Sequence, residues 1–204
     1  GSPWLIFLQN LWNALVMFFW DNGEVWVFSI PHRPALDIIS AALFFSGLVL
    51  LLVRYIRQRH WLDIFLLTSI PLLMMPSILS LAFPTENPTL NRTAAALVPV
   101  FLIFGIALDG LLKAFENRFP TISGKLLVWG IGLALLLLSA AQNYDLVFNR
   151  YQRDYELSSW NTSEIGAVIR SFAGTIGDGE SAYVVAYPHW VDTRLVGFNA
   201  GYPT

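Results

Sequence analysis

The sequence predicts an α-helical polytopic membrane protein: about four transmembrane helices, an N-terminal interfacial helix before them, and the start of a small extracytoplasmic α/β domain after them. Three observations predict it. Four long apolar stretches, Ile38–Ile56, Leu62–Phe83, Thr93–Leu112 and Leu126–Asn143, dominate the chain. The basic residues between them fall on alternate sides. Beyond Asn143 the composition changes to polar, acidic material. The organisation read from these features is residues 1–37 as an outer-surface helix and loop, 38–143 as the four-span bundle, and 144–204 as the extracytoplasmic domain.

Each stretch is long enough, at about 1.5 Å per helical residue, to cross a hydrocarbon layer of about 30 Å. Charged residues make up 13% of the chain, against about 25% in soluble domains, and the deficit falls in these stretches. Ile38–Val53 and Ile64–Thr85 carry no charge at all. Pro71 and Pro76 interrupt the second stretch. Proline removes a helical hydrogen bond, so a kink is expected there, either for packing or to shape a cavity opening to the outer face.

Orientation follows from the loops. Arg54, Arg57 and Arg59 follow the first span, and Lys113, Arg118 and Lys125 follow the third, whereas the loop Pro84–Arg92 holds only Arg92. The positive-inside rule assigns the two basic loops to the cytoplasm. The Pro84–Arg92 loop, the N-terminal segment and the tail then face outward.

Trp4–Trp20 is apolar but short, with Gln9, Asn10 and Asn13 inside it. Leu5, Leu8, Leu11, Trp12, Leu15 and Phe19 recur near helical spacing, as in a helix lying on the membrane surface; a fifth span truncated at its start is the alternative. Asp21-Asn22-Gly23-Glu24 is turn chemistry, and Pro31-His32-Arg33-Pro34 leads the chain back to the membrane. In the tail, Asn161–Glu164 is a capping pattern that opens a helix over Ser163–Ala173, with Ile165, Val168, Ile169 and Phe172 on one face. Gly177–Gly179 reads as a turn and Ala182–Tyr187 as a strand.

A net charge of −2 gives no reason to expect a nucleic-acid partner. The absence of cysteine excludes disulfides and thiolate metal sites. The chain starts without Met, runs at once into apolar residues and stops on Gly201-Tyr202-Pro203-Thr204, so it is expected to be a piece of a longer protein.

Three groups of residues carry a family resemblance: Asn10–Phe18 with Asp21–Gly23 and Pro31–Asp37; Glu86–Arg92 followed by Ala94–Pro99; and Tyr187–Arg194. In their order around the spans they resemble the C-terminal half of bacterial protein-mannosyltransferase-like membrane glycosyltransferases of the GT-C superfamily. The resemblance implies a many-span enzyme of the bacterial cytoplasmic membrane that moves sugar from a polyprenyl-phosphate donor to an acceptor on the outer face. Its partners would be that donor, membrane lipids and the missing N-terminal half of the same protein. The catalytic acid of such enzymes lies in an early outer loop, outside this chain, so no catalytic residue is assigned here.

Transfer from a lipid phosphate needs a carboxylate to take the acceptor's proton and cations for the departing phosphate. Arg92 sits in an outer loop just before an apolar helix, where a guanidinium can pair bidentately with phosphate. The free N–H groups of Thr93–Ala95 add to the attraction. Arg92 is therefore the first lipid-phosphate candidate, and His32 and Arg33 form a second pair. Glu86 and Asn87 would orient the acceptor or the loop. A divalent metal ion is the one cofactor they would admit, and one carboxylate is too few to assign a metal site. Asp37 and Asp109, at span ends, read as interfacial acids. Two other function classes stay open: a non-catalytic membrane anchor or subunit of a larger complex, and a transporter fragment. Transporters usually carry internal repeats or ionisable residues at the midplane, and neither is evident.

A reporter fused after Thr204 is expected to be active only outside the cytoplasm; cytoplasmic activity reverses the orientation.

Overall fold

The computed structural model describes residues 2–158, 160–185 and 191–203. The chain divides into two compact units, Gly1–Tyr144 and Asp145–Thr204.

The first unit is a helical bundle. α1 (Pro3–Val16) starts with proline at its first turn, where no backbone donor is needed. At 14 residues it measures about 21 Å, short of a membrane crossing. α2 (Ile38–Gln58) runs down the bundle and ends on Arg59 in a left-handed conformation. α3 (Trp61–Leu73) returns, containing Pro71, and is followed after Met74 by the single turn α4 (Met75–Ile78) with Pro76 in its first turn. The expected break in the second span is therefore real. A helical turn at Pro84–Glu86, α5 (Leu90–Thr93) and a turn at Ala94–Ala96 lead into α6 (Leu97–Arg118). α7 (Ile122–Tyr144) completes the unit.

Among the described residues, four runs are long and apolar enough to cross a membrane: Ile38–Gln58, Trp61–Ile78, Leu90–Arg118 and Ile122–Glu156. Only 11% to 33% of the most apolar window of each is buried. Leu52, Phe65, Phe101, Leu102, Leu126 and Leu137 all point outward. In water such a surface would far exceed the few hundred Å² of apolar patch usual on a soluble protein; lipid tails solvate it at no cost. α2 runs past Ile56 to Gln58, α6 past Leu112 to Arg118, and α7 starts at Ile122 ahead of Leu126, while the second span stops at Ile78, short of Phe83. Arg54, Arg57, Lys113, Arg118 and Lys125 therefore sit on helical turns, not in loops. The reason is that long basic side chains reach the interface from within a helix.

The core is small and lies where α1, α2, α3, α4 and α6 converge. Met17, Phe18, Phe44, Leu51, Met74, Ile78, Val100 and Ile103 are buried there. Phe44 takes Phe18 edge-on and Phe19 in a stack, each at 5.5 Å between centroids, which fastens the end of the N-terminal segment to α2. α2 and α6 approach most closely at Gly47, where a Cβ would lie 2.6 Å from the Ile103 carbonyl oxygen, so only glycine fits.

Polar groups gather at the two ends of the bundle. At one end Arg54 donates to Asp63 on α3 at 2.8 Å, and the Asp63 side chain is fully buried. At the other, Asp37 caps α2 by accepting from the Ile39 and Ser40 amides at 3.0 and 3.1 Å. Its second oxygen accepts from Ser40 Oγ at 2.6 Å, Ser139 Oγ at 2.8 Å and Asn143 Nδ2 at 3.0 Å, tying the start of α2 to the end of α7. Asp37 is thus a cap and a clasp. Asp109 pairs with Lys113 one turn later on α6.

The second unit is also helical, which corrects the expected α/β domain. It comprises wide helical turns at Asp145–Tyr151, α8 (Gln152–Glu156), α9 (Thr162–Ala173), a turn at Gly179–Ser181 and α10 (Thr193–Ala200). Asn161 caps α9, accepting from the Glu164 amide at 3.1 Å. α9 packs on α10 through Thr162 and Gly166 against Asn199 and Ala200. That differs from the expected apolar face, since Val168 is 69% exposed. No strand forms among the described residues. Ala182–Val185 is irregular, and Ala186 and Tyr187, the rest of the expected strand, lie outside them. β-branched and aromatic residues adopt a strand only beside a partner that takes up their backbone N–H and C=O groups, and no such neighbour stands among the described residues.

Burial raises the Asp37 carboxyl's pKa, but the hydrogen bonds from the Ser40 side chain and amide, Ser139 and Asn143 outweigh it and leave it below the ordinary carboxylate value. A lowered folded value stabilises the protein fully above the ordinary range near pH 4 and progressively less as pH falls through the folded value. The thermal midpoint in detergent is expected to drop over that acidic window. Asp37→Asn is expected to lower stability at neutral pH by about 1–2 kcal/mol, because the amide nitrogen in place of Oδ2 accepts nothing from Ser139 or Asn143, and to remove that part of the acid dependence. An unchanged acid profile in the variant refutes the assignment.

Candidate functional site

The site begins with three side chains that have no business in an apolar helix. Gln9, Asn10 and Asn13 share one side of α1, and Asn10 is buried to 1% exposure. Its Nδ2 donates to the Ile78 carbonyl at 3.0 Å, satisfying one of the carbonyls left free where α4 ends. The Asn10 carbonyl in turn accepts from Asn87 Nδ2 at 3.0 Å, and Asn87 Oδ1 accepts from Ser77 Oγ at 2.6 Å. The break in the second span therefore supplies both Ser77 and the Ile78 carbonyl to a buried network that binds α1, α4 and the Pro84–Arg92 loop together. Asn87 precedes Pro88 through a cis peptide bond.

Above this network lies a cleft of about 550 Å³. α1 contributes Gln9, Trp12 and Asn13 to it, the following loop Trp20, Asp21, Glu24 and His32, and the facing loop Thr85, Asn87 and Pro88. The loop between α1 and α2 is stitched into a narrow hairpin-like shape. The Asn22 amide donates to the Arg33 carbonyl at 2.8 Å and the His32 amide to the Gly23 carbonyl at 3.2 Å. Asn22 Nδ2 donates to the Ile30 carbonyl at 3.0 Å. Gly23 has φ of 93°, and a Cβ there would stand 2.4 Å from the Pro88 carbonyl oxygen, so glycine lets the two loops meet. Asp21 Oδ1 accepts from the Gly23 amide at 2.8 Å, and Asp21 Oδ2 lies 3.3 Å from His32 Nδ1.

The candidates from the sequence distribute unevenly over this site. His32 and Asn87 line the cleft. Arg92 and Glu86 come together beside it as an ion pair: Arg92 donates to Glu86 Oε2 at 2.6 Å and to Ser80 Oγ at 2.8 Å. Arg33 is half-buried at the base of the stitched loop, its backbone held by Asn22. All five belong to the Asp37 end of the bundle, at the mouths of the same helices. The divalent ion considered for Glu86 and Asn87 finds no donor set, because Glu86 holds Arg92, Asn87 holds Ser77, and no group of three or more His, Asp or Glu side chains suited to a metal occurs among the described residues.

The sequence reading missed Asp21 and Glu24 as cleft residues, since Asp21–Glu24 reads equally well as an ordinary turn. It also missed the Asn10–Asn87–Ser77 network. The signal that would have found it is the spacing of Gln9, Asn10 and Asn13, which puts three amides on one side of an apolar helix.

Among the described residues the fold is all-helical, with four helices long and apolar enough to cross a membrane, consistent with an integral membrane protein. Comparison with known proteins finds no matching family model, no similar curated protein and no similar solved structure.

Replacing Asn87 with Ala leaves the Ser77 hydroxyl hydrogen without its acceptor inside the protein and removes the side-chain bond that ties the loop to the Asn10 carbonyl of α1. We expect a loss of about 2–4 kcal/mol of stability in detergent unfolding. A loss below about 0.5 kcal/mol shows that the network does not hold the cleft together.

Proposed function

We propose that this chain is part of a membrane glycosyltransferase that moves a sugar from a polyprenyl-phosphate donor to an acceptor at the Asp37 end of the bundle. The observation that carries the reading is the cleft itself, a polar and aromatic hollow at the mouth of lipid-exposed helices. A lipid-linked sugar has three parts with different needs. Its tail needs apolar helix surface, its phosphate needs a cation, and its sugar needs hydrogen-bonding groups with a flat apolar wall. Those three chemistries occur together at this end: outward-facing apolar helix surface, Arg92 and Arg33 beside the cleft, and Asp21, Glu24, Gln9, Asn13 and Asn87 with Trp12 and Trp20 inside it. Pockets of this size, with a few converging polar groups, are the usual form of small-molecule sites. The resemblance described above points the same way.

In this reading Arg92 binds the donor phosphate by exchanging one of its present partners. Glu86 holds the guanidinium in place until then, and Asn87 sets the position of the loop. One observation favours a second reading, a non-catalytic anchor or subunit: the Arg92 donors are already occupied by Glu86 and Ser80, as in a residue that only fastens a loop.

The two readings separate on a pair of variants of the full-length protein. Arg92→Ala is expected to reduce sugar transfer from a polyprenyl-phosphate donor at least about tenfold, the size of one lost charged hydrogen bond, with expression intact. Glu86→Gln, which keeps Arg92 and weakens its hold, is expected to leave donor affinity unchanged or improved. Equal losses in both variants favour the anchor.

A further inference from the structure

We propose that the Arg54 end of the bundle binds the anionic headgroups of membrane lipids, through Arg57, Arg59, Arg118 and Lys125. This surface lies at the opposite end from the cleft, and it stands whether or not the chain takes part in sugar transfer.

Helix packing brings the four cations to one end. Gly47 of α2 meets Ile103 of α6, and further along both helices the Leu50 side chain meets Gly110, 3.6 Å from where a Cβ would stand. α2 and α6 therefore run in the same direction and finish at the same end, α2 at Gln58 and α6 at Arg118. Arg57 lies in the last turn of α2, and Arg59 follows as its cap. α7 begins at Ile122, directly after the turn that leaves α6, so Lys125 in its first turn stands at this end too.

Positive charge is left over here. The carboxylates on this side of the unit are Asp63, Asp109 and Glu116. Asp63 is held by Arg54, Asp109 by Lys113, and Glu116 accepts from Trp129 Nε1 at 2.7 Å. Arg57, Arg59, Arg118 and Lys125 are exposed and pair with no carboxylate among the described residues. The Arg59 guanidinium lies over the Tyr55 ring, 5.5 Å from its centroid, which holds it against the flank of α2.

The helix dipole does not account for the whole set. It favours cations at the ends of α2 and α6, where Arg57, Arg59 and Arg118 stand, but it opposes Lys125 in the first turn of α7. An anionic surface accounts for all four. Its chemistry follows from the neighbours. Trp61, Phe119 and Ile122 adjoin the cations in the chain and are 67%, 47% and 81% exposed. Aromatic rings collect where acyl chains meet headgroups, so the cations beside them lie in the headgroup layer. A lipid offers that border an acyl chain and an anion side by side.

The test places the full-length protein in phosphatidylcholine bilayers and measures its association with spin-labelled phosphatidylglycerol against spin-labelled phosphatidylcholine. Both leaflets carry the same lipids, so the direction of insertion does not affect the readout. The anionic label is expected to associate at least about threefold more strongly, and the preference to vanish near 1 M salt, where the screening length falls to about 3 Å. Changing Arg57, Arg59, Arg118 and Lys125 together to Gln is expected to bring the ratio below about 1.5. Changing the three arginines to Lys, which keeps the charge, is expected to preserve it. If the fourfold variant does not fold, Arg57→Gln with Arg59→Gln is expected to remove about half of the preference. A preference that survives loss of the charges, or is lost equally in the Lys variant, overturns the proposal. Displacement of the label by free inorganic phosphate at equal ionic strength overturns it in favour of a soluble anion. A wild type without preference overturns it in favour of an acidic protein partner.

Discussion

Inside a hydrocarbon layer no water is available to pair with a polar group, and that constraint governs where this protein keeps its chemistry. Within the spans the hydroxyls turn back on their own helices: Ser46 on the Ala42 carbonyl, Thr68 on Ile64 and Ser69 on Leu66. Contacts between helices there are made by shape, as where Gly47 admits Ile103. The strong polar contacts between elements lie at the ends. Asp63 and Arg54 close one end, and Asp37 with Ser139 and Asn143 closes the other. A carboxylate such as Asp37, taking hydrogen bonds at both oxygens, can sit among apolar helices because each of its lone-pair directions is answered.

The same constraint explains why the cleft lies where it does. A break in the second span frees backbone and side-chain groups that must be paired. Asn10 and Asn87 pair them, and in doing so draw α1 and the Pro84–Arg92 loop against the end of the bundle. The hollow left between α1 and the two loops becomes the cleft. A packing necessity in the buried layer thus creates a polar concavity in the layer above it. No residue of the broken stretch itself lines the cleft; the break reaches the cleft walls only through the bonds of Asn10 and Asn87.

The spans were readable from sequence because length and apolarity are local properties. Ends were harder. Lys113 and Lys125 look like loop residues in the sequence, yet they lie on helices because a long side chain can reach water from a helical turn. The tail failed for a different reason. Ala182–Val185 has strand-forming residues, but a strand is defined by its neighbour, and neighbours are not written in a local window. α10 went unnoticed although Asp192 caps it and Gly201 ends it, both of which are visible signals. The site was legible only in part. The sequence named Arg92, Arg33, His32, Glu86 and Asn87 as single residues, but not that Arg92 would meet Glu86 or that His32 would meet Asp21. Each meeting is made inside a single loop and depends on the path of that loop's backbone, which residue types alone do not give.

The charges at this end are partitioned, and the partition bears on what the cleft can hold. The named lining of the cleft contains two carboxylates and a histidine but no lysine or arginine, whereas Arg92 lies to the side, on Glu86. A free phosphate would be repelled by Asp21 and Glu24, while a neutral, hydroxyl-rich group would not. A ligand that places its phosphate toward the arginines and its sugar over Asp21 and Trp20 meets each region with a group that region accepts. In the proposed reading a lipid-linked donor brings both chemistries in one molecule, a phosphate for Arg92 and a neutral sugar for the cleft.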